Sequence, residues 1–454
     1  MALTAPGRGA ARAIAQMADQ TPPTRDRYVD FLRALAILAV VCGHWLIATI
    51  QRTPHGIEVG NVLSNQPGLR PVTWVFQVMG VFFVVGGFST RRTIEAKPDF
   101  DAGAFFANRV ERLLRPTLVF VIAWLSAAAL LQGAGVDIRL THAIARIAAQ
   151  PLWFLAVYLL VTLIAPMQLA LHRRAPGLAV VALPIATVAC DVARFHHTGS
   201  GFAVLNYLFV FAFAQELGFH LSEGWDRITR PAAVAVAAVA FVTLLALVVP
   251  GPYPVSMVGL PGARVSNMSP PTICILLLTV MHTALFTVWR PAGQRFLARR
   301  RVWIATVAAN AGIMTIFLWH LTAAATVGAV LYAVDVLPTP GSTAWWLLKI
   351  PWFAACIAIL FVLVVAFVSV ERLPAWTGMQ RGRAAMRAIG ALLAIRGFAG
   401  FALTGFDHLL EPRGSAFLGS RLSPLVDLGL LLAGYLLACG FPVWRRVRVG
   451  APTP

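Results

Sequence analysis

Long apolar blocks, separated by short polar loops, organise this chain. Most blocks run for about 20 residues, the length with which an α-helix crosses the hydrocarbon layer of a membrane. The pattern therefore predicts an all-α fold, a polytopic membrane helix bundle. Twelve spans are predicted near residues 29–50, 72–90, 113–132, 151–171, 177–193, 202–219, 231–250, 270–289, 303–334, 344–370, 386–410 and 417–443.

The composition agrees with a membrane protein. The 454 residues are 59% hydrophobic and 12% charged, whereas a soluble chain carries about a quarter charged residues. The loops are short, and several on one side are rich in Pro and Gly, so no soluble domain fits between the spans. Any chemistry is therefore expected within the membrane region or at its faces.

Basic residues gather in alternate loops and towards both ends, and the net charge is +19. Under the positive-inside rule, this distribution places the loops at 91–115 and 290–301, together with both termini, in the cytoplasm. We assign the charge to topology and not to nucleic acid, because no interleaved aromatic and basic residues accompany it. Residues 1–24 lack the apolar core of a signal peptide and are predicted to form a disordered cytoplasmic tail.

The first span, "RDRYVDFLRALAILAVVCGHWLIATI" at 25–50, carries ionisable residues within the membrane, where water does not solvate them. At about 100° per residue, Arg33 and His44 share one helix face and lie about 16 Å apart along the axis, and Asp30 continues that face towards the cytoplasm. Ionisable groups inside a membrane mark function by default. The structural alternative is an interfacial Asp30–Arg33 ion pair and a His44 that only hydrogen-bonds a neighbouring helix.

Four further ionisable residues are candidates for the same functional site. His320 is predicted to lie at a depth like that of His44, with a helix–helix hydrogen bond as the structural alternative. Arg109, Arg112 and Arg115 recur every three residues, so we expect them to share one face at the inner interface. That face would meet either lipid headgroups or nucleotide phosphates.

Candidates near the outer side are less distinctive. Trp153 is predicted to be an interfacial anchor or a platform for a substrate that approaches from the outer side. Asn267 and Ser269 are expected to face the same substrate, the group acceptor of any transfer reaction. His196-His197, with Asp191 nearby, form a weak metal-like cluster that we interpret as solvated. The sequence thus predicts no metal site and no tightly bound cofactor.

Six stretches that cover residues 25 to about 370 read, in order, "VDFLRALAILAVVCGHW", "GVFFVVGGFSTRR", "FFANRVERLLRPT", "PLWFLAVYLLVTLIAPM", "SNMSPPT" and "NAGIMTIFLWHLTA". Together they resemble the acyltransferase-3 family of bacterial polytopic membrane acyltransferases. Arginine, ten residues and then histidine in the first span is that family's signature. One departure is Gly86-Gly87, where the family often has Ser-Gly, so a hydroxyl is missing.

The resemblance implies a ten-helix core over residues 25–372, and it leaves residues 373–454 as a C-terminal extension with about two further helices. It also implies an integral membrane O-acyltransferase in the bacterial inner membrane. Such an enzyme moves an acyl group, expected to be acetyl, from cytoplasmic acyl-coenzyme A to a hydroxyl of a glycan, lipid or small molecule. Membrane lipids and acyl-coenzyme A are the other expected partners.

Site roles follow from the same resemblance. His44 is expected to act as the general base on the acceptor hydroxyl, and His320 to orient the acceptor or stabilise the oxyanion. Arg33, beside Asp30, suits the phosphates or the polar arm of coenzyme A. Arg109, Arg112 and Arg115 match positions where the family also has basic residues, and capture of the nucleotide phosphates of the donor is the alternative to lipid contact.

Two alternatives remain open from the sequence. A proton-coupled transporter or flippase would use His44 and His320 as proton relays, although the chain has no strong internal repeat of the kind that many transporters contain. A membrane scaffold without catalysis would tolerate substitution of both histidines. The enzyme is favoured because its polar residues align on one helix face and the motif order fits the family.

Overall fold

The computed structural model describes residues 6–54, 56–96, 100–196, 201–260, 262–373, 384–407 and 423–439. Nearly all regular structure in these ranges is helical. The helices are α1 Pro6–Asp19, α2 Arg27–Ile47, α3 Thr73–Phe76, α4 Met79–Glu95, α5 Ala102–Gly133, α6 Ile138–Ala149, α7 Leu152–Arg174, α8 Leu178–His196, α9 Asn206–Gly224, α10 Arg230–Val248, α11 Ile273–Leu297, α12 Arg300–Ala311, α13 Ile313–Ala333, α14 Thr343–Arg372, α15 Ala384–Thr404 and α16 Pro424–Cys439.

The predicted all-α polytopic bundle is confirmed. Eleven helical segments of the described ranges are long and apolar enough to cross a membrane, and α16 is a shorter apolar helix. The predicted span at 303–334 differs, because α12 ends at Ala311 and α13 begins at Ile313. Gly312, between them, leaves helical geometry with φ −129° and ψ 24°, as its low helix propensity allows.

The two ends of the bundle differ in character. We call the end at which α2 begins and α7 and α9 end the basic end, since it carries Arg25, Arg91 and Arg290. The opposite end is the hairpin end. There the chain leaves α2 into two antiparallel strands, β1 Ala48–Thr53 and β2 Gly56–Asn61. The sequence analysis assigned no strand to these residues.

Asp191 corrects the prediction of a solvated cluster at the outer loop. Its side chain is 1% exposed and accepts hydrogen bonds from Tyr253 Oη at 3.0 Å, Asn206 Nδ2 at 2.9 Å and the Ile273 backbone N–H at 2.9 Å. These donors come from three separate segments of the hairpin end. Asp191 therefore fixes the loop between α10 and α11. His196 is exposed, and His197 lies outside the described residues.

The prediction that residues 1–24 form a disordered tail is wrong for Pro6–Asp19, which form α1. The helix docks on α12, where Trp303 Nε1 donates to the Ala18 carbonyl at 3.1 Å and Arg300 Nη2 lies 2.7 Å from an Asp19 carboxylate oxygen. Hydrogen bonding from Arg300 lowers the pKa of Asp19. The helix is stable because it finds a partner, since an isolated helix of this length is marginal in water.

The C-terminal helices α15 and α16 pack against each other, and they also pack on α7 and α5 respectively. Small residues allow the close approach: a Cβ added at Gly390 would lie 2.7 Å from the Ala438 backbone nitrogen, and glycine is common at such helix contacts in membranes. One buried ion pair joins the two helices, with Arg396 Nη1 3.2 Å from Asp427 Oδ1. Arg396, which lies within the predicted span at 386–410, thus has an ionic partner on the next helix.

Candidate active site

Two histidines from distant helices meet in the middle of the bundle. His44 lies near the end of α2, and His320 lies in the first half of α13. The Nδ1 atom of His44 is 2.9 Å from the Nε2 atom of His320. His320 is fully buried. The predicted similar depth of the two side chains is therefore realised as a direct hydrogen bond.

The hydrogen-bond network assigns the tautomers of this pair. His320 Nδ1 is 2.6 Å from the Phe317 carbonyl oxygen, which can only accept, so this nitrogen carries a proton. In neutral His320, Nε2 is then an acceptor, and His44 Nδ1–H donates to it. The Nε2 of His44 is left with a lone pair and has no hydrogen-bond partner among the described residues. This arrangement is that of a general base.

The end of α2 is held in place by groups from two other helices. Trp45 Nε1 donates to the His320 carbonyl at 2.9 Å. Lys349 Nζ, from α14, donates to the carbonyls of Trp45 at 3.0 Å and Ala48 at 2.9 Å. Trp45 lies in the last turn of α2 and Ala48 caps that helix, where carbonyls have no partner within the helix. His44 therefore sits on a helix end whose position is fixed from both sides.

Replacement of Lys349 by methionine tests this support. We expect a loss of thermal stability, because two buried carbonyls lose their donor at about 1–3 kcal/mol for each unsatisfied group. For the acyl transfer expected from the sequence, we also expect a lower turnover number with an unchanged Michaelis constant for the acyl donor. The reason is that Lys349 contacts the helix end that carries His44. Thermal unfolding and steady-state kinetics measure the two effects. Unchanged stability would show that the carbonyls find other donors.

A chamber of about 580 Å³ reaches the histidine pair from the hairpin end. Both histidines line it, together with Trp153, Phe154 and Trp346. Among the described residues that form its wall, none is Asp, Glu, Lys or Arg. Its polar wall groups include amides and hydroxyls, and the main ones are Asn61, Thr73, Gln77, Gln150 and Ser269. The chamber thus presents an uncharged, aromatic-rich surface to whatever approaches His44.

Arg33 lies at the basic end of the same helix, away from the chamber. Its guanidinium lies 3.1 Å from Asp30 and donates to Ser89 Oγ at 2.8 Å. Asp30 is buried and also pairs with Arg25 at 2.5 Å. Neither Asp30 nor Arg33 lines the chamber that holds His44. The three residues that the sequence places on one helix face therefore do not line this chamber together.

Ser89 also bears on the missing hydroxyl of the second motif. The position that lacks the hydroxyl is Gly86, and a Cβ there would meet no heavy atom within 4 Å, so packing does not exclude a serine. At Gly87, the glycine that the motif keeps, a Cβ would lie 2.1 Å from the Gln215 carbonyl oxygen of α9. Ser89, two residues later on α4, supplies a hydroxyl to Arg33 instead. Close packing of α4 on α9 thus explains Gly87 but not the loss of the hydroxyl at Gly86, and the arginine still has a hydroxyl beside it in Ser89.

The three arginines of α5 have different neighbours, so the prediction of one shared face is wrong. Arg109 Nη1 donates to Tyr158 Oη at 3.1 Å, and Arg109 lies within electrostatic range of Arg33. Arg112 is exposed. Arg115 pairs with the buried Glu111 and donates to the Leu373 carbonyl at 2.8 Å. Steps of three residues drift by about 60° each around a helix, which separates the first arginine from the third.

Of the three residues predicted to contact the acceptor, two line the chamber and one does not. Trp153 and Ser269 line the chamber. Asn267 does not: its amide nitrogen donates to the carbonyls of Pro254 at 2.6 Å and Ser256 at 3.0 Å, and its amide oxygen accepts from Thr272. Asn267 is fully buried and shapes the loop that carries Ser269. Its predicted role in facing the acceptor is therefore replaced by a structural one.

Four residues that the sequence analysis did not single out support the site. They are Ser89 and Tyr158, which contact the arginines of the basic end, Lys349, which holds the end of α2, and Glu371, which accepts from the Met314 and Thr315 backbone N–H groups at the start of α13. A signal existed for Lys349, a lone cation in the apolar stretch "WWLLKIPW".

Comparison with known protein families gives one match. A family model described as an acyltransferase domain matches residues 26–371, a range that contains the histidine pair, Arg33 and the chamber. Neither the curated proteins nor the solved structures contain a significant match to the chain.

Proposed function

Because the chain belongs to the acyltransferase-3 family, with a bundle of membrane-spanning length, we propose that it is a membrane O-acyltransferase with His44 as its general base. One observation carries this proposal: the ordered chain from the Phe317 carbonyl through His320 to His44 leaves a basic nitrogen that opens into a chamber. The acyl donor is acyl-coenzyme A, with acetyl as the expected group. The acceptor is a hydroxyl compound.

In the proposed reaction, His44 Nε2 takes the proton of the acceptor hydroxyl as its oxygen attacks the thioester carbonyl. The C–O bond forms, a tetrahedral intermediate collapses, and the C–S bond breaks. The coenzyme A thiolate leaves and receives the proton from the His44 imidazolium. His320 Nε2 accepts from His44 Nδ1–H throughout, so His320 orients the base and stabilises its positive charge. His320 is thus a positioning residue here.

The donor is proposed to enter from the basic end, which the positive-inside rule places in the cytoplasm. Arg33 and Arg109 lie close together there, beside the hydroxyls of Ser89 and Tyr158. A guanidinium is permanently charged and binds phosphate oxygens in pairs. From Arg33 to His44 the helix rises about 16 Å, a length that an extended pantetheine arm spans. The thioester then meets the acceptor at His44.

The acceptor is proposed to occupy the chamber at the hairpin end. Its described wall carries aromatic side chains and amides without a formal charge. Such a wall suits an uncharged hydroxyl compound, because a charged group would lose its hydration there without an ionic partner. A glycan, a lipid-linked sugar and a neutral small molecule all meet this requirement. The inner membrane of a bacterium, with the chamber facing outward, is the proposed location.

Transfer of label tests the proposed function. Purified protein is incubated with acetyl-coenzyme A labelled in the acetyl group and with extracted envelope fractions, and each fraction is then assayed for label. We expect one hydroxyl-bearing fraction to gain label in proportion to the coenzyme A thiol released. Intact donor and no labelled fraction, combined with transport of solutes in the absence of acyl-coenzyme A, would favour a transporter instead. Family membership gives that alternative no support.

A further inference from the structure

A second cluster of ionisable side chains lies at the basic end, apart from the histidine pair. His172 of α7 and Glu216 and His220 of α9 bring one ligand atom each to within 4.8 Å of one another. His172 and Glu216 are buried at 1% and 0% exposure, and His220 is partly exposed. The proposed acyl transfer uses none of these residues.

The helical frame explains how the cluster forms. Glu216 and His220 are four residues apart on α9, so they share one face of that helix. His172 comes from the last turn of α7, which packs against α9. The three ligands therefore come from two rigid elements, which hold a site more firmly than loops do. His172 and Glu216 are 44 residues apart in the chain. The three ligands therefore form no local sequence motif.

Each oxygen of Glu216 has a defined environment. Oε1 points into the cluster, 2.5 Å from His172 Nδ1 and 3.7 Å from His220 Nε2. The same His220 Nε2 lies 3.1 Å from the Pro176 carbonyl oxygen, a hydrogen bond that it gives up when it binds a cation. Oε2 points away and accepts from Gln168 Nε2 at 2.9 Å, while Gln168 itself accepts from Gln215 at 3.0 Å. The carboxylate is therefore oriented by a chain of amides so that one oxygen stays available to the cluster. Such outer hydrogen bonds are typical of metal-ligating carboxylates.

His172 has a matching partner on its far nitrogen. Its Nε2 lies 3.1 Å from Glu223 Oε1, and Glu223 is in turn ion-paired with Arg91. A carboxylate on the distal nitrogen is the usual arrangement for a histidine that binds a metal through the other nitrogen. Arg91 Nη1 also lies 2.8 Å from the same Nε2. With a cation on Nδ1, Nε2 carries the proton, so Arg91 then acts on Glu223 alone.

The charge of Glu216 supplies an independent argument. This carboxylate is fully buried, yet among the described residues only the imidazoles of His172 and His220 lie within ion-pair distance of it. A buried carboxylate needs a compensating charge. A divalent cation bound between Glu216 and the two imidazoles supplies it.

We propose that His172, Glu216 and His220 bind a divalent transition-metal cation of the Zn²⁺ class. Two imidazole nitrogens and one carboxylate oxygen are a common ligand set for Zn²⁺, and they leave a fourth position for water. Bound metal ties α7 to α9 beside α4, the helix whose Ser89 contacts Arg33. The sequence analysis predicted no metal site. This inference is independent of the proposed acyl transfer.

Metal binding by the purified full-length protein tests the inference. After removal of metal with a chelator, the protein is titrated with Zn²⁺, and bound metal is measured by elemental analysis. We expect one Zn²⁺ per chain and a higher temperature of thermal unfolding on metal addition. Co²⁺ in place of Zn²⁺ is expected to give the visible absorption of a four-coordinate site.

Variants separate the site from adventitious binding. His220→Ala removes the partly exposed ligand and is expected to weaken Zn²⁺ binding at least tenfold, in line with the cost of losing a group that supports a metal site. Glu216→Gln removes the charged ligand and is likewise expected to weaken Zn²⁺ binding. His196→Ala, an exposed histidine at the hairpin end, is the matched control and is expected to bind as the parent does. Equal affinity in the parent and His220→Ala, or no stoichiometric binding by the parent, would overturn the proposal.

Discussion

Replacement of His44 by alanine is expected to lower the turnover number of acyl transfer by about 10²- to 10⁴-fold, the usual contribution of a positioned general base. The fall follows from the geometry of the pair, since the described residues offer no other basic nitrogen to the chamber beside His44 except its own partner His320. Release of the coenzyme A thiol from acetyl-coenzyme A, measured with a saturating acceptor, reports the turnover number directly.

Cys42 gives a matched control for this variant. It lies two residues from His44 on α2, on another side of the helix, and it does not line the chamber. Cys42→Ala is expected to keep the turnover number of the parent and a similar yield of folded protein. If His44→Ala retained most of its activity while Cys42→Ala did so too, the general-base role would be refuted and the pair would be a helix–helix contact.

His320 variants distinguish a positioning role from a purely structural one. His320→Ala removes the acceptor that stabilises the His44 imidazolium in the transition state, and a hydrogen bond to a charged group contributes about 1.5–3 kcal/mol, or about 10- to 150-fold in rate. His320→Gln offers an amide oxygen to His44 Nδ1–H and is expected to recover part of that loss. Equal turnover numbers in the two variants would show that the hydrogen bond to His44 does not matter. The comparison needs both variants at matched thermal stability.

Periodicity was sufficient to predict much of the bundle. Apolar blocks of membrane-crossing length predicted the helices, and the angular spacing of Arg33 and His44 predicted polar groups on one helix. Periodicity was not sufficient to predict where a helix breaks or whether a short helix is stable, because these features depend on contacts between distant parts of the chain. The break at Gly312 depends on one residue whose low helix propensity is only a weak prior, and α1 owes its stability to contacts with Trp303 and Arg300.

Site contacts were less accessible to the sequence, because their partners lie far apart in the chain. Ser89 meets Arg33 from 56 residues away, and Lys349 meets the end of α2 from 304 residues beyond Trp45. No local pattern records such pairs. The tautomer of His44 likewise depends on the Phe317 carbonyl, a backbone atom whose direction only the folded helix defines. Single-helix reasoning thus found His44, the proposed base, but not the groups that orient it.

Replacement of Arg33 by alanine is expected to raise the Michaelis constant for acetyl-coenzyme A by about 10- to 150-fold, while the turnover number at saturating donor stays near that of the parent. Hydrogen bonds to charged groups contribute about 1.5–3 kcal/mol, and Arg33 lies about 16 Å from the base along the helix, too far to act on the reacting atoms. Steady-state kinetics with varied donor and saturating acceptor separate the two constants.

A truncated donor shows which part of coenzyme A meets Arg33. Acetyl-pantetheine keeps the thioester and the arm but lacks the phosphates, so its reaction is expected to be slow with the parent and no slower with Arg33→Ala. Arg33→Lys retains the charge without the paired donors and is expected to recover part of the affinity for acetyl-coenzyme A. If Arg33→Ala lowered the rate equally with both donors, the guanidinium would support the protein through Asp30 and Ser89, and the phosphate contact would have to come from another cation at the basic end.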